Sequence, residues 1–170
     1  FKAPEKSPAL LAANPLGKVP TLIADGVVVT EQVAIYQFLA ELKPEAGLSP
    51  AVGEPLRGSY LRALAFYGSS FEPAMIDKAL KRDAGQRGMS PYGDVAAVEQ
   101  WLRSQLSVGP WFLGERFTAV DCLWGTALGW MTQFGLLEAT AEIGAYLQRF
   151  AARPAVQRAR ALDQALLAGQ

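Results

Sequence analysis

Asn14-Pro-Leu-Gly-Lys-Val-Pro-Thr-Leu-Ile-Ala-Asp-Gly-Val-Val-Val-Thr-Glu-Gln32 is the stretch whose reading decides the fold. It runs as a loop through Val19-Pro20 into a strand, turns at Asp25-Gly26, returns on a second strand, and opens a helix at Thr30-Glu31-Gln32. Asp-Gly between β-branched runs is a strong hairpin signal, because a two-residue type I′ turn needs positive φ at both central positions. The expected strands are Pro20–Ala24 and Val27–Thr30. Pro20 cannot donate to a ladder, which places it at a strand start, a sheet edge or a turn, with a cis bond among the options. Everything downstream is helical in character, so the hairpin and its polar helix start are the first place to look for a site.

Bulk properties narrow the function classes. The 170 residues are 51% hydrophobic, enough to bury a sizeable core, which argues against disorder. Sixteen basic residues balance 16 acidic ones, which argues against a nucleic-acid binder. With no histidine, imidazole bases and imidazole metal ligands are removed. The single cysteine, Cys122, allows neither an internal disulfide nor a thiolate zinc cluster, and a reducing, cytoplasmic setting is expected. Phe1-Lys2-Ala3-Pro4 has no signal-peptide pattern. The longest uncharged run, Cys122 to Leu137, is too short to span a bilayer and reads as a buried helix. The chain begins with Phe1 rather than Met, and its true start is expected upstream.

Taken in order, Phe1 to Asn14 is punctuated by Pro and Lys, with a short helical turn at Ser7 to Ala13. A helix over Glu31 to Leu42 puts Ile35, Phe38, Leu39 and Leu42 on one face, and Lys43-Pro44 stops it. Residues 45–54 read as a linker. A helix from Leu56 to Phe71 carries Tyr60, Leu61, Leu64, Phe66 and Tyr67; Pro73 is expected to kink or break it before Leu80. Ser90-Pro91 has the form of a cap and first-turn pair for a helix burying Val95, Val98, Leu102 and Leu106. Trp111 and Phe112 are expected to fold onto the core. Thr118 with Asp121 at N3 is a capping box opening the most apolar helix. Helices over Ala141–Ala151 and Pro154–Leu167 complete the set.

These residues resemble the cytosolic glutathione transferases. Asn14 to Leu22 and Thr30-Glu-Gln-Val-Ala-Ile35 are similar to that family's glutathione-binding half. Gly114-Glu-Arg-Phe-Thr-Ala-Val-Asp121 resembles its buried helix-capping signature, and Arg153-Pro-Ala-Val-Gln157 its last helical segment. The resemblance implies an α+β protein, mostly α: a partial thioredoxin-like domain over 1–44 (β-hairpin plus helix), a linker over 45–54, and an all-α helical-bundle domain over 55–170. It implies a homodimer and glutathione as co-substrate, with no metal and no nucleic-acid or membrane partner.

Carried over by resemblance, the Val19 backbone next to a cis Pro20 bonds the cysteinyl part of glutathione. Glu31 and Gln32 hold the γ-glutamyl end, with Gln32 standing where Ser is usual, and Lys18 reaches toward the glycyl carboxylate. Plainer readings stand beside these: a strand-start proline, ordinary first-turn helix residues, and a solvated surface lysine. The family's catalytic Ser, Tyr or Cys lies near the end of a first strand that this stretch does not hold, so the catalytic residue is unknown. Cys122 reads as an inert buried thiol, and Thr118 and Asp121 as structural. Tyr60, Phe66, Tyr67, Trp124 and Trp130 read as core, with the choice of any that line an electrophile pocket left open. The implied function is attack of the glutathione thiolate on a hydrophobic electrophile. The alternatives are glutathione-dependent isomerisation, dehalogenation or reduction, and a non-catalytic binding or regulatory module of the same fold.

Overall fold

A computed structural model describes residues 6–169. The expectations placed on residues 1–5 lie outside that range. A short helix α1, Pro8–Ala13, is capped by Ser7, whose hydroxyl accepts from the Leu10 amide at 3.2 Å. The hairpin follows as β1, Leu22–Ala24, antiparallel to β2, Val27–Val29, with Leu22 opposite Val29. Asp25 and Gly26 have φ of 50° and 78°, the positive pair that a type I′ turn requires. The strands are shorter than expected, since Pro20 and Thr30 fall outside the ladder.

Helix α2, Gln32–Glu41, buries Ile35 and Ala40. Of the face expected to pack, Leu39 and Leu42 are about half exposed, at 48% and 53%. The reason is that α2 carries a second stripe: Val33, Tyr36 and Ala40 pack on the helical core, while Ile35 and Leu39 line an open cleft. A 3.6-residue period reveals an apolar stripe but not which stripe is covered.

A turn at Pro44–Ala46 leads into the long helical run. The stretch over residues 45–54 is tied down by Arg116, which donates to the Gly47 carbonyl through Nε at 3.1 Å and Nη2 at 2.9 Å, and to Glu54 Oε2 at 2.7 Å. The Leu48 carbonyl accepts from the Ala119 amide at 2.9 Å.

Helix α3, Arg57–Phe66, does not break at Pro73. It passes through a wide turn at Tyr67–Phe71, where the Glu72 amide bonds back five residues to the Tyr67 carbonyl, and continues as α4, Glu72–Ala79. That extra residue in the turn accommodates a proline with no N–H to donate, and it aims Tyr67, Ser70 and Phe71 inward. Leu61 stays on the exposed side.

The expected Ser90-Pro91 cap is corrected. Helix α5, Val95–Leu106, starts after Asp94, whose Oδ1 accepts from the Ala97 amide at 2.7 Å. Ser90 instead closes a turn, accepting from the Gly93 amide at 3.1 Å. Gly93, at φ 76°, lies between the two candidate caps and is not helical. Val98, Leu102 and Leu106 are buried as expected.

Helix α6, Ala119–Gln133, is the axis of the core, with Val120, Leu123, Trp124 and Leu128 fully enclosed. The Thr118–Asp121 capping box is formed, with the Thr118 amide donating to Asp121 Oδ2 at 2.9 Å. Phe112 stacks on Trp124 at 4.6 Å, and the Trp124 indole donates to the Ala63 carbonyl at 3.1 Å. Truncating an aromatic of this kind to alanine costs about 3–5 kcal/mol. Helix α7, Ala141–Ala151, packs on α6, and α8, Pro154–Ala168, lies outermost with no buried residue. Among the described residues the result is mostly helical, with one small two-stranded sheet. Among the described residues, no helix is long and apolar enough to cross a membrane.

Candidate functional site

The loop before the hairpin is built on one buried side chain. The Asn14 carboxamide donates to the Lys18 carbonyl at 3.0 Å and to Thr21 Oγ1 at 3.3 Å, while its oxygen accepts from the Leu16 amide at 3.2 Å. The Thr21 hydroxyl donates to the same Lys18 carbonyl at 2.9 Å. These bonds fold residues 14–21 into a fixed shape that presents Val19 outward, 76% exposed. The Val19–Pro20 peptide is cis.

Across from this loop stands the start of α2. Its N-cap, Glu31, has φ 66° and ψ 114° and gives no side-chain cap. A left-handed φ costs a non-glycine residue about 1–2 kcal/mol, a strain of the kind found at ligand clamps. The uncapped first turn leaves backbone N–H groups free at the positive end of the helix, a suitable seat for a carboxylate.

A cleft of about 480 Å³ separates the two elements, lined by Val19, Pro20, Gln32, Ile35, Tyr36 and Leu39. The structure therefore brings Val19, Pro20 and Gln32 together. Lys18 and Glu31 are exposed, and neither side chain lines the cleft.

A second cavity, about 680 Å³, lies between α2, α6 and α8, with Tyr36, Phe117, Cys122, Trp130, Phe150 and Arg153 in its wall. The Arg153 guanidinium sits 3.5 Å from the centre of the Phe117 ring and 5.4 Å from that of Trp111. Burial pushes the Cys122 thiol up to about 11, with the Asp121 charge adding to the shift, so at neutral pH it is a thiol and not a nucleophile. Cys122 is half-buried at the cavity wall, more open than the enclosed thiol expected.

The family model for the glutathione S-transferase N-terminal domain matches residues 1–41, and that for the C-terminal domain matches residues 92–154. A glutathione S-transferase GstA of Escherichia coli O157:H7 is 31% identical over 150 residues, covering 87% of this chain and 75% of its own. The chain belongs to the glutathione S-transferase family. The solved glutathione S-transferase of a sphingomonad, complexed with glutathione, superposes with a TM-score of 0.71 at 32% identity, covering 88% of this chain and 75% of that one. A maleylacetoacetate isomerase of Rhizobium meliloti (strain 1021) is 34% identical over 118 residues, which are 68% of this chain and 49% of that one.

Within this glutathione S-transferase fold, Tyr60, Tyr67 and Trp124 are core, and Phe66 rests on Trp101 at 3.9 Å. Of the five aromatics singled out in the sequence, Trp130 alone lines the larger cavity. The sequence reading included Asn14 in its motif without a role for the side chain, and it did not single out Tyr36, Phe117 or Phe150, which line the larger cavity. For Tyr36 the signal was present, since it stands one helical turn from Gln32 on the same face. For Asn14, an Asn ahead of Pro15 and Gly17 marks a side chain that organises its own loop.

Proposed function

We propose that the protein binds glutathione in the cleft between the Val19–Pro20 loop and the start of α2, and transfers its thiolate to a hydrophobic electrophile. The supporting observation is the meeting of an exposed Val19 with an uncapped helix N-terminus across one cleft. Val19 would pair with the cysteinyl part of the tripeptide through its main chain. Gln32 and the first-turn amides of α2 would hold the γ-glutamyl carboxylate, where the helix dipole favours an anion. Glu31 supplies the strained corner that leaves those amides uncapped, and Lys18, on the outer side, is available to the glycyl carboxylate as a mobile charge.

The larger cavity, apolar on most of its wall and adjoining the cleft at Tyr36, would receive the electrophile. In the transfer the thiol proton leaves to solvent, the sulfur forms a bond to carbon, and the displaced group departs with its bonding electrons. Holding both reactants at adjoining sites supplies much of the rate. No thiol-activating residue is assigned. The same reading takes the active form as a cytoplasmic homodimer.

Glutathione-dependent isomerisation is a second reading, favoured by the relative named maleylacetoacetate isomerase. Assays of glutathione consumption with an activated chloronitrobenzene, and of isomerisation with maleylacetoacetate, separate the two. Saturable glutathione binding with neither turnover would favour a binding module. Absence of saturable glutathione binding would overturn all three.

A further inference from the structure

The larger cavity carries one charge that the protein itself does not answer. Arg153 lines the wall and is half-buried, with its guanidinium carbon 3.5 Å from the centre of the Phe117 ring. Its Nε is enclosed and has no hydrogen-bond partner, and among the described residues the group forms no ion pair. A ring against the face of a guanidinium leaves the N–H groups at its edge unused, and a pair of these matches the two oxygens of a carboxylate.

The rest of the cavity does not supply the missing anion. Its other charged residues are Arg160 and Asp163, three apart on α8, a spacing at which opposite charges are neighbours. Asp163 stands ten residues beyond Arg153, about 15 Å of helix rise away. Asp121 does not line the cavity, and its carboxylate is committed to Phe112, Thr118 and Tyr146. Arg153 is also the N-cap of α8, with no acidic residue in the first turn. A positive charge therefore sits at the positive end of the helix dipole, where an anion is the favoured neighbour. Aromatic rings of Phe117, Trp130 and Phe150 line the same space, about 680 Å³, a size that takes a small molecule.

We propose that Arg153 is a specificity-determining residue of this cavity, selecting an aromatic electrophile that carries a carboxylate. The carboxylate would pair with the guanidinium, and the ring would lie against the apolar wall. The assignment rests on the reading of the cavity as the electrophile site. Arg153 sets which electrophile binds and takes no part in the transfer.

Titration calorimetry with 3-nitrobenzoate and 3-nitrobenzamide, which share a ring and differ in charge, tests the assignment without requiring turnover. Both are titrated into the glutathione-saturated unmodified protein, Arg153→Gln, Arg153→Lys and Arg160→Gln, with melting temperatures measured on the same samples. The unmodified protein is expected to bind the benzoate about tenfold more tightly than the benzamide, the worth of one charge-assisted hydrogen-bonded pair. Arg153→Gln is expected to bring the two within about twofold while leaving benzamide affinity unchanged. Arg160→Gln should keep the full preference. Arg153→Lys, which keeps the charge and loses the fork, should keep a smaller preference of about threefold and serves where the Gln variant melts too low. Equal binding of both compounds by the unmodified protein overturns the assignment, as does a preference that survives Arg153→Gln, is undiminished in Arg153→Lys or disappears in Arg160→Gln. Saturable binding of neither compound overturns the reading of the cavity itself, a result distinct from equal binding of both, which leaves that reading standing.

Discussion

The Tyr146 hydroxyl donates to Asp121 Oδ1 at 3.0 Å, joining α7 to the first turn of α6 at a point where both residues are almost completely enclosed. The same Oδ1 accepts from the Phe112 amide at 2.8 Å, and Oδ2 accepts from the Thr118 amide at 2.9 Å. One carboxylate therefore fixes a helix start, the aromatic loop before it and the helix packed across it. Burial pushes the Asp121 pKa up while these donors pull it down. Replacing Asp121 with Ala strands donors that each cost about 1–3 kcal/mol when buried unpaired, so a loss of about 3–5 kcal/mol is expected in urea unfolding. Tyr146→Phe, which leaves the other donors satisfied, is expected to cost about 1–2 kcal/mol.

The α6–α7 contact also depends on a missing side chain. A Cβ on Gly125 would lie 2.6 Å from Cγ of the Phe150 ring, and that atom cannot swing away as a chain end could. Gly125→Ala gains up to about 1 kcal/mol of helix propensity and meets an overpacking cost of about 1–3 kcal/mol. A net loss is expected in thermal or urea unfolding. Phe150→Leu in the same background should recover part of it, whereas a stabilised single variant would show that the two helices part without cost.

Cys122 carries a pH signature. Its pKa rises from an ordinary 9.0 to about 11 on folding, so the folded state holds a proton that the unfolded state releases. The corresponding stability is fully present below about 9 and is lost as pH rises through about 11. Cys122→Ser should flatten the decline in stability across that window. At pH 8 the native thiol should react with a disulfide reagent on the order of a hundredfold more slowly than the unfolded chain.

Asn14 tests the loop independently of the cleft's chemistry. Asn14→Ala removes its three hydrogen bonds within residues 14–21 and leaves the Lys18 carbonyl with the Thr21 hydroxyl as its remaining partner. With each bond worth about 1 kcal/mol, glutathione affinity should fall roughly tenfold or more. The helical core is remote from this loop, so the urea midpoint should move little. A large fall in the midpoint with unchanged affinity would make Asn14 a folding residue only.

Local chemistry was legible wherever one residue type determines one backbone shape. Asp25-Gly26 gave the hairpin, Thr118 and Asp121 gave the α6 start, and the α7 and α8 segments were placed within a residue or so. What could not be read was the choice among competing local solutions. Ser90 and Asp94 are both good caps, and Gly93 decides between them by its left-handed backbone. Pro73 predicts trouble in a helix, yet a wide turn absorbs it because the aromatics at 67 and 71 gain burial there. Of the residues the motif named, the structure sets Val19, Pro20 and Gln32 around one cleft. The motif could not show that Lys18 and Glu31 stand outside the cleft wall, because that depends on how the loop and α2 face each other.

The most direct test is a titration of the isotope-labelled protein with glutathione, followed residue by residue by nuclear magnetic resonance. Saturable shifts are expected at the amides of Val19, Gln32, Val33 and the Asn14–Thr21 loop, with α5 and α7 unmoved. No saturable shift up to millimolar glutathione, or shifts centred elsewhere, would contradict the assignment of the Val19–Gln32 cleft.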